Sequence, residues 1–241
     1  KGMSGSPAGV ASLVARWVRR LSLGLVAVVL LYQMWLFGWV VLWNWVNPDM
    51  TRFMEIRLAE LQAKDSRAQL KKQWVDYGKI SIHLKRALIV AEDDLFTQHD
   101  GFDWDGIQRA MERNQRRGKI VAGGSTISQQ LAKNLFLSPA KTPWRKAQEA
   151  VVTLMIETVW SKQRIFEVYL NVIEWGNGVF GAEAAARHYF GIGAAQLAPE
   201  QAARLAGMVP SPRFYDRNRG APGLANKAAL ILSRMPSARI P

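Results

Sequence analysis

The sequence predicts a mainly α-helical domain that is preceded by a single membrane-spanning helix. One supporting observation is a 26-residue run without charge, from Leu21 to Val46. The other is the recurrence of apolar residues at helical spacing from about Tyr77 onward. No convincing segment alternates apolar and polar residues as a half-buried strand would, and the sequence has no internal repeat. The 241 residues therefore suit one ordinary domain with an accessory segment.

The uncharged run has the length of a membrane anchor. As a helix it extends about 39 Å at ~1.5 Å per residue, which exceeds a hydrocarbon core of ~30 Å. It is too long for the apolar core of a cleavable signal peptide, which covers roughly 7–15 residues. It is also too uniformly apolar for the core helix of a soluble domain. Arg16, Arg19 and Arg20 precede the run, so the N-terminus should stay in the cytoplasm.

This reasoning divides the chain into four segments. The predicted order is a cytoplasmic segment at 1–20, a transmembrane helix at 21–46, a juxtamembrane linker or helix at 47–76 and the main domain at 77–241. Within the third segment, Thr51–Lys64 reads as a helix with one polar face. The main domain should lie on the far side of the membrane.

The charge of the chain narrows the class of partner. The formal net charge is +13, and residues 1–50 contribute +3 of it, which leaves +10 for the rest of the chain. Such a surplus suits nucleic acid, anionic lipid headgroups or a phosphorylated substrate. A location outside the cytoplasm excludes nucleic acid, so we expect membrane lipids as a partner. The absence of cysteine excludes disulfides and thiolate chemistry.

A first cluster of polar residues runs from Glu92 to Gly101. Glu92 follows an apolar helical stripe, so its carboxylate should emerge at the edge of the core. Partial burial raises the pKa of a glutamate toward a value that is useful for a general base. The alternative is a solvated or salt-bridged acid beside Asp93. We interpret His99 as structural, because it has no partners at metal-ligand spacing.

A second cluster runs from Gly124 to Asn134. Ser125 is the expected N-cap of a helix that continues to Leu135, and free amide N–H groups at such a start can stabilise an anion. Gln129 and Lys133 are four residues apart and share a helix face. Gln130 and Asn134 form a second pair beside them. The alternative is an ordinary capped helix with a polar face.

Three further segments carry polar residues. Arg145 and Lys146 precede Glu149, an arrangement that could also be a plain ion pairing at a helix start. Lys162–Asn171 reads as an amphipathic helix, and we interpret it as scaffolding in which Glu167, Tyr169 and Asn171 make polar contacts. Residues 113–124 are basic and rich in glycine, which predicts a flexible loop.

Together these segments resemble the peptidoglycan glycosyltransferases of glycosyltransferase family 51. The family patterns E-D-x-x-F-x-x-H-x-G, G-x-S-T-I-x-Q-Q-x-x-K-N and R-K-x-x-E are all matched. In the fourth motif Phe166 stands where the family commonly has Leu, and Lys227 stands where relatives often carry Arg. The resemblance covers Ile80–Met235. It implies a lysozyme-like α-helical fold, a bacterial inner-membrane location and a periplasmic domain that polymerises lipid II.

The resemblance also implies roles for particular residues. Glu92 would be the general base in a single inverting displacement, and Glu149 would be a second catalytic residue that orients cations or a metal. A divalent Mg or Mn ion could bridge the pyrophosphate, although no metal-ligand cluster in the chain demands one. Partners would be lipid II, the nascent glycan and cell-wall synthesis or division proteins. The predicted substrate-binding residues are Asp93, Phe96, Ser125, Thr126, Gln129, Gln130, Lys133, Asn134, Arg145 and Lys146.

Rival readings come from other classes of protein. A lytic transglycosylase or lysozyme would share the fold and a catalytic glutamate but would cleave glycan instead of making it. A membrane-tethered scaffold would need neither Glu92 nor Glu149. A penicillin-binding transpeptidase is disfavoured: Ser138 and Lys141 fit S-x-x-K, but the following Lys-Thr-Pro lacks the glycine of K-T-G and no S-x-N follows. The sequence thus predicts a monofunctional polymerase.

Overall fold

The computed structural model describes residues 7–118 and 123–241, with side chains from residue 13 onward. The chain divides into two units between Leu42 and Trp43. The described part of the first unit is helical, in helix α1 (Pro7–Trp43), whose last residue belongs to the second unit. By length and composition this helix could cross a membrane over Leu13–Trp43. This helix ends three residues before the predicted end of the span.

The second unit is mainly helical, which confirms the predicted fold class. Its early helices are α2 (Arg52–Gln62), α3 (Ile82–Glu92), α4 (Trp104–Arg117), α5 (Ile127–Phe136), α6 (Pro143–Val159) and α7 (Lys162–Val172). The later ones are α8 (Ala182–Phe190), α9 (Pro199–Met208), α10 (Pro212–Arg217) and α11 (Pro222–Arg234). Short 3₁₀ turns lie at Tyr77–Lys79, Ala194–Gln196 and Met235–Ser237.

Hydroxyl and carboxylate caps explain where many of these helices begin. The side chain of each capping residue accepts a hydrogen bond from a backbone N–H of the first turn, which satisfies a group that has no partner inside the helix. The residues that do this are Thr51, Ser81, Asp103, Thr126, Thr142 and Ser161. The helix predicted at Thr51–Lys64 is therefore confirmed as α2.

Two predictions about helix boundaries are wrong. Arg113–Arg117 form the last turns of α4 and not a flexible loop, and Gly118 ends this helix in the left-handed conformation at φ +61°. Residues 119–122 of the predicted loop lie outside the described residues. The N-cap of α5 is Thr126 and not Ser125, because Thr126 forms a capping box with Gln129.

A small sheet was not predicted. Strands β1 (Lys71–Lys72), β2 (Glu174–Gly176) and β3 (Val179–Phe180) form it in the order β1-β3-β2. β1 runs parallel to β3, and β2 runs antiparallel to β3. Strands of two or three residues are too short to show the alternating pattern that identifies a strand in sequence.

Two packed groups of helices meet at the site described below. α3 packs against α9 and α11, whereas α5 packs against α2, α6 and α7. The core is filled by fully buried aromatic side chains, among them Phe96, Phe166, Tyr169, Trp175 and Phe180. The end of α3 and the start of α5 come together, which joins the two groups.

Gly181 is needed for the turn between β3 and α8. Its φ is +85° and a Cβ there would lie 2.8 Å from the backbone oxygen of Asn171, whereas Gly191, at φ +70°, has nothing within 4 Å. Gly181→Ala should lower the free energy of unfolding by at least ~2 kcal/mol, and Gly191→Ala by about 1 kcal/mol, because only the first adds a clash to backbone strain. Thermal unfolding of both variants measures the difference. Equal melting temperatures would contradict this packing.

Candidate active site

Glu92 is the last residue of α3 and lies where the apolar face of that helix leaves the core. Its Oε2 accepts a hydrogen bond from Gln130 Nε2 at 2.9 Å. Its Oε1 is buried and has no hydrogen-bond partner among the described residues. Burial raises the pKa of Glu92, and the Gln130 amide and the charges of Lys227 and Lys133 offset the rise in part. The direction of this shift agrees with the expectation that burial raises the pKa of this carboxyl.

Gln130 connects Glu92 to the core. Its Oε1 accepts a hydrogen bond from the hydroxyl of Tyr169 at 3.0 Å. The buried side chain of Asn134 donates to the backbone oxygen of Gln130 at 2.8 Å, one turn further along α5. The predicted pair of Gln130 and Asn134 is therefore present, and Gln130 faces the candidate base.

Asp93 holds α3 and α5 together. The backbone N–H of Gly101 donates to His99 Nδ1 at 3.1 Å, so Nε2 carries the ring proton and donates to Asp93 Oδ1 at 2.9 Å. The N–H of Ile127 donates to Asp93 Oδ2 at 2.9 Å. The N-terminus of a helix favours a nearby negative charge, and at α5 the buried carboxylate of Asp93 supplies it. His99 has the structural place that its sequence context indicated.

Three of the predicted substrate-binding residues, Thr126, Gln129 and Phe96, make their contacts inside the protein. Thr126 donates its hydroxyl to the oxygen of Gly101 at 2.7 Å, and the Thr126 N–H donates to Gln129 Oε1 at 3.0 Å. Both side chains are buried, and so is Phe96, whose ring packs on Phe166 with 5.7 Å between centroids. In this structure these contacts fix the loop that leads from Glu92 into α5.

A cluster of cations lies on the other side of Gln130. Arg145 Nη1 contacts Glu149 Oε2 at 2.5 Å, and Lys146 Nζ bonds to Glu149 Oε1 and reaches the exposed Ser125 hydroxyl at 3.3 Å. Glu149 itself is buried. Burial lowers the pKa of the nearby Lys133, and Glu149 raises it, while Arg145 and Lys146 lower it further. Three cations therefore share one carboxylate.

Each partner of the Glu92–Gln130 hydrogen bond lines a different cleft. Glu92 lines a recess of about 200 Å³ together with Asp94, Ser125 and Arg234. Gln130 lines a larger cleft of about 800 Å³. The larger cleft is also lined by Lys133, Asn134, Arg57, Glu174 and Arg213. Glu92 itself therefore lines the recess, and Lys133 is the member of the cation cluster that lines the larger cleft.

Sequence reasoning named Lys227 and Tyr169 but did not connect either of them with the candidate base. Lys227 in α11 is half-buried, and its charge favours the ionised form of Glu92. Lys227 lies three residues after buried Leu224 and four before buried Ile231. Its position on this apolar stripe could have indicated from the sequence that it faces the interior. The other group is the hydroxyl of Tyr169, whose contact with Gln130 joins residues 39 positions apart.

No group of three or more His, Cys, Asp or Glu side chains in the described part of the chain has an arrangement that would hold a metal ion. The buried carboxylate closest to the cations, Glu149, is already bonded to Arg145 and Lys146. Its oxygens are therefore committed to nitrogen donors.

Comparison with known proteins supplies a family. A family model described as "Transglycosylase" matches residues 58–236. The chain is 68% identical over 229 residues to the biosynthetic peptidoglycan transglycosylase of Dechloromonas aromatica (strain RCB), covering 95% of this chain and 99% of that protein. It is 60% identical over 226 residues to the protein of that name from Nitrosospira multiformis, covering 94% and 98%. The one from Aromatoleum aromaticum is 62% identical over 226 residues, covering 94% and 98%.

The joint between α3 and α5 can be tested at two neighbouring acids. In Asp93→Asn, an NH₂ group replaces one acceptor and faces either the Ile127 N–H or the imidazole N–H. A buried donor is then left unsatisfied, so the free energy of unfolding should fall by about 1–3 kcal/mol. Asp94→Asn loses only an exposed pairing with Arg234, worth roughly 0–1 kcal/mol. Denaturant unfolding compares them, and an equal loss would argue against the joint.

Proposed function

Because this chain belongs to the transglycosylase family of peptidoglycan biosynthesis, we propose that it polymerises lipid II into β-1,4-linked glycan strands and releases undecaprenyl pyrophosphate. The family's domain is lysozyme-like, as predicted. The observation that carries the proposal is the place of Glu92, whose carboxylate lines a recess and bonds to Gln130, a residue that lines a neighbouring cleft with several cations. A transferase needs room for two substrates at its base, and a leaving pyrophosphate needs positive charge.

The free oxygen of Glu92 suits general-base catalysis. In the proposed step, Glu92 Oε1 takes the proton from the 4-hydroxyl of the acceptor sugar. The hydroxyl oxygen then bonds to the anomeric carbon of the donor as the bond from that carbon to the pyrophosphate oxygen breaks. The electron pair leaves with the pyrophosphate, and a single displacement converts an α-linked donor into a β-linked product. Proton removal of this kind contributes about 10²–10⁴-fold.

Lys133, Arg145 and Lys146 would stabilise the leaving group. A pyrophosphate departs as a stable anion and needs no general acid, unlike the sugar oxygen that a glycosidase expels. Preorganised cations in a partly buried site are the groups that favour its departure. Glu149 would act by holding Arg145 and Lys146 toward the cleft, since it bonds to both.

A divalent cation, Mg²⁺ or Mn²⁺, would enter with the substrate pyrophosphate. The protein offers no set of free carboxylates for it in the described residues, because Glu149 is already paired with two cations. Its chemistry would be to screen charge on the phosphates. The protein residues alone carry the proton transfer in our proposal.

We propose an inner-membrane location on the basis of α1. Its apolar length suits a single membrane crossing, and the preceding Arg16, Arg19 and Arg20 favour a cytoplasmic N-terminus by the positive-inside rule. The domain from Trp43 onward would then lie in the periplasm beside its lipid-linked substrates. At this location the partners would be membrane lipids, the nascent glycan and proteins of cell-wall synthesis or division, and not nucleic acid.

We infer that the chain has no transpeptidase activity. Ser138–Lys141 are outside the helices, and Ser138 Oγ accepts a hydrogen bond from the Ala140 N–H at 3.4 Å. Lys141 is exposed in the loop that precedes α6. This segment therefore lacks the helical turn that would bring a lysine onto a serine at S-x-x-K spacing.

The base assignment is tested with Glu92→Gln and labelled lipid II. This change keeps size and polarity but removes the proton acceptor, so polymer formation should fall at least ~10²-fold. Burial raises the pKa of Glu92 in the folded state above its pKa in the unfolded chain. Ionisation of Glu92 therefore lowers the stability of the fold as the pH rises through the folded-state pKa, and it has no such effect below the unfolded-state pKa. The variant should therefore be at least as stable as the native chain at neutral pH, and any gain should vanish in acid.

The native product separates the rival enzymes. We expect long glycan and free lipid pyrophosphate from lipid II, and intact cell-wall sacculi. Solubilised sacculi with untouched lipid II would establish a lytic enzyme instead. If Glu92→Gln polymerises lipid II at the native rate, Glu92 is not the general base, although the protein is still a polymerase.

The leaving-group role is tested with Lys133→Ala. Loss of a charge-assisted contact to the departing pyrophosphate should lower the polymerisation rate by about 10²–10³-fold. Lys79→Ala is the matched control, because Lys79 is exposed and pairs only with neighbouring Asp76 among the described residues. The control should keep its rate. Equal rates for the two variants would refute the role of Lys133.

A further inference from the structure

A chain of two hydrogen bonds links the candidate base to the core. Tyr169 in α7 donates its hydroxyl to Gln130 Oε1 at 3.0 Å, and Gln130 Nε2 donates to Glu92 Oε2 at 2.9 Å. Tyr169 is fully buried and its ring stacks near Phe166 with 6.3 Å between centroids. The position of the hydroxyl is therefore fixed by packing.

Gln130 could present either end of its amide to Glu92. The NH₂ group is a donor and suits an ionised carboxylate, whereas the oxygen is an acceptor and suits a protonated one. The hydroxyl of Tyr169 decides between them. Gln130 Oε1 is the acceptor of its proton in the described part of the chain, so turning the amide over would leave a buried O–H without a partner.

We propose that Tyr169 is a positioning residue that holds the Gln130 amide with its NH₂ group toward Glu92, so that Oε1 of Glu92 is the oxygen that accepts the substrate proton. The role as base rests on the proposed function, whereas the orientation of the amide does not. Oε2 is occupied by the amide and Oε1 has no partner among the described residues. Burial and the charges of Glu92 and Asp93 raise the pKa of Tyr169 far above its ordinary value, so it remains a donor.

The inference predicts the sign of a titration shift. In Tyr169→Phe the amide is free to turn, and its oxygen can then accept a hydrogen bond from protonated Glu92. The O–H of protonated Glu92 then gains an acceptor that it lacks in the native chain, so the pKa of Glu92 should rise. One net hydrogen bond corresponds to a shift of roughly half to one pH unit. A tyrosine that only fills space would leave this titration unchanged.

The measurement is a carbon NMR titration of the full chain in detergent, with glutamate labelled at Cδ. The Glu92 signal is identified by its loss in Glu92→Gln. Tyr77→Phe is the matched control, because it removes a half-buried hydroxyl that donates to the backbone oxygen of Pro241 at 2.8 Å. We expect the Glu92 pKa to rise in Tyr169→Phe and to stay constant in Tyr77→Phe.

A double variant shows whether Tyr169 changes the pKa of Glu92 through the Gln130 amide. Gln130→Met removes the amide, so adding Tyr169→Phe to it should produce no further shift of the Glu92 pKa. An equal shift with and without the amide would overturn the proposal, as would no shift in Tyr169→Phe alone. If Tyr169→Phe fails to fold, replacing tyrosine with 3-fluorotyrosine gives the opposite test. It keeps every hydroxyl and strengthens its donation, so the Glu92 pKa should fall; an unchanged pKa would overturn the proposal.

The pH dependence of lipid II polymerisation provides an independent readout. The acid limb in Tyr169→Phe should move upward by the same amount as the Glu92 titration, with a small change on the plateau. If the native chain makes no polymer, the proposed function fails and the NMR titration still tests the amide orientation. If it polymerises with an unmoved acid limb in Tyr169→Phe, the positioning role fails and the proposed function stands.

Discussion

The whole site depends on one buried carboxylate that takes no part in the proposed proton transfer. Asp93 accepts hydrogen bonds from His99 and from the backbone N–H of Ile127, and so joins the end of α3 to the start of α5. The positive end of the α5 dipole favours a negative charge at that point. Because Glu92 precedes Asp93 and Gln130 lies one turn into α5, this joint sets the distance between the candidate base and its amide partner.

The positive charge of the site is assembled around a second carboxylate. Lys133, Arg145 and Lys146 would repel one another in a partly buried region, and Glu149 offsets this by bonding to Arg145 and Lys146. The cluster as a whole has a surplus of two positive charges, and Lys133 is the member that lines the larger cleft. In the proposed function this surplus would bind the anion, because the N–H of Ile127 at the start of α5 is already used by Asp93.

The sequence predicted the parts of the structure that depend on local chemistry. Helical periodicity located α2 and α3, and the stripe before Glu92 predicted a carboxyl with a raised pKa. Two serine or threonine hydroxyls in a row left the start of α5 ambiguous, although Gln129 three residues after Thr126 is the pattern of a capping box. The contact of Tyr169 with Gln130 could not be predicted, because it depends on how α7 packs against α5.

Three acids follow one another in this chain, and the structure gives each a different capacity for proton transfer. Asp93 has both oxygens bonded to fixed donors, so it has no oxygen free for a substrate. Asp94 is exposed and paired with Arg234, so it lacks the burial that a base requires. Glu92 alone of the three combines a buried carboxyl with one unoccupied oxygen. A base must be desolvated to hold a useful pKa, and it must keep an oxygen that no donor of the protein occupies. Glu92 meets both demands because Oε2 is held by the protein and Oε1 is not.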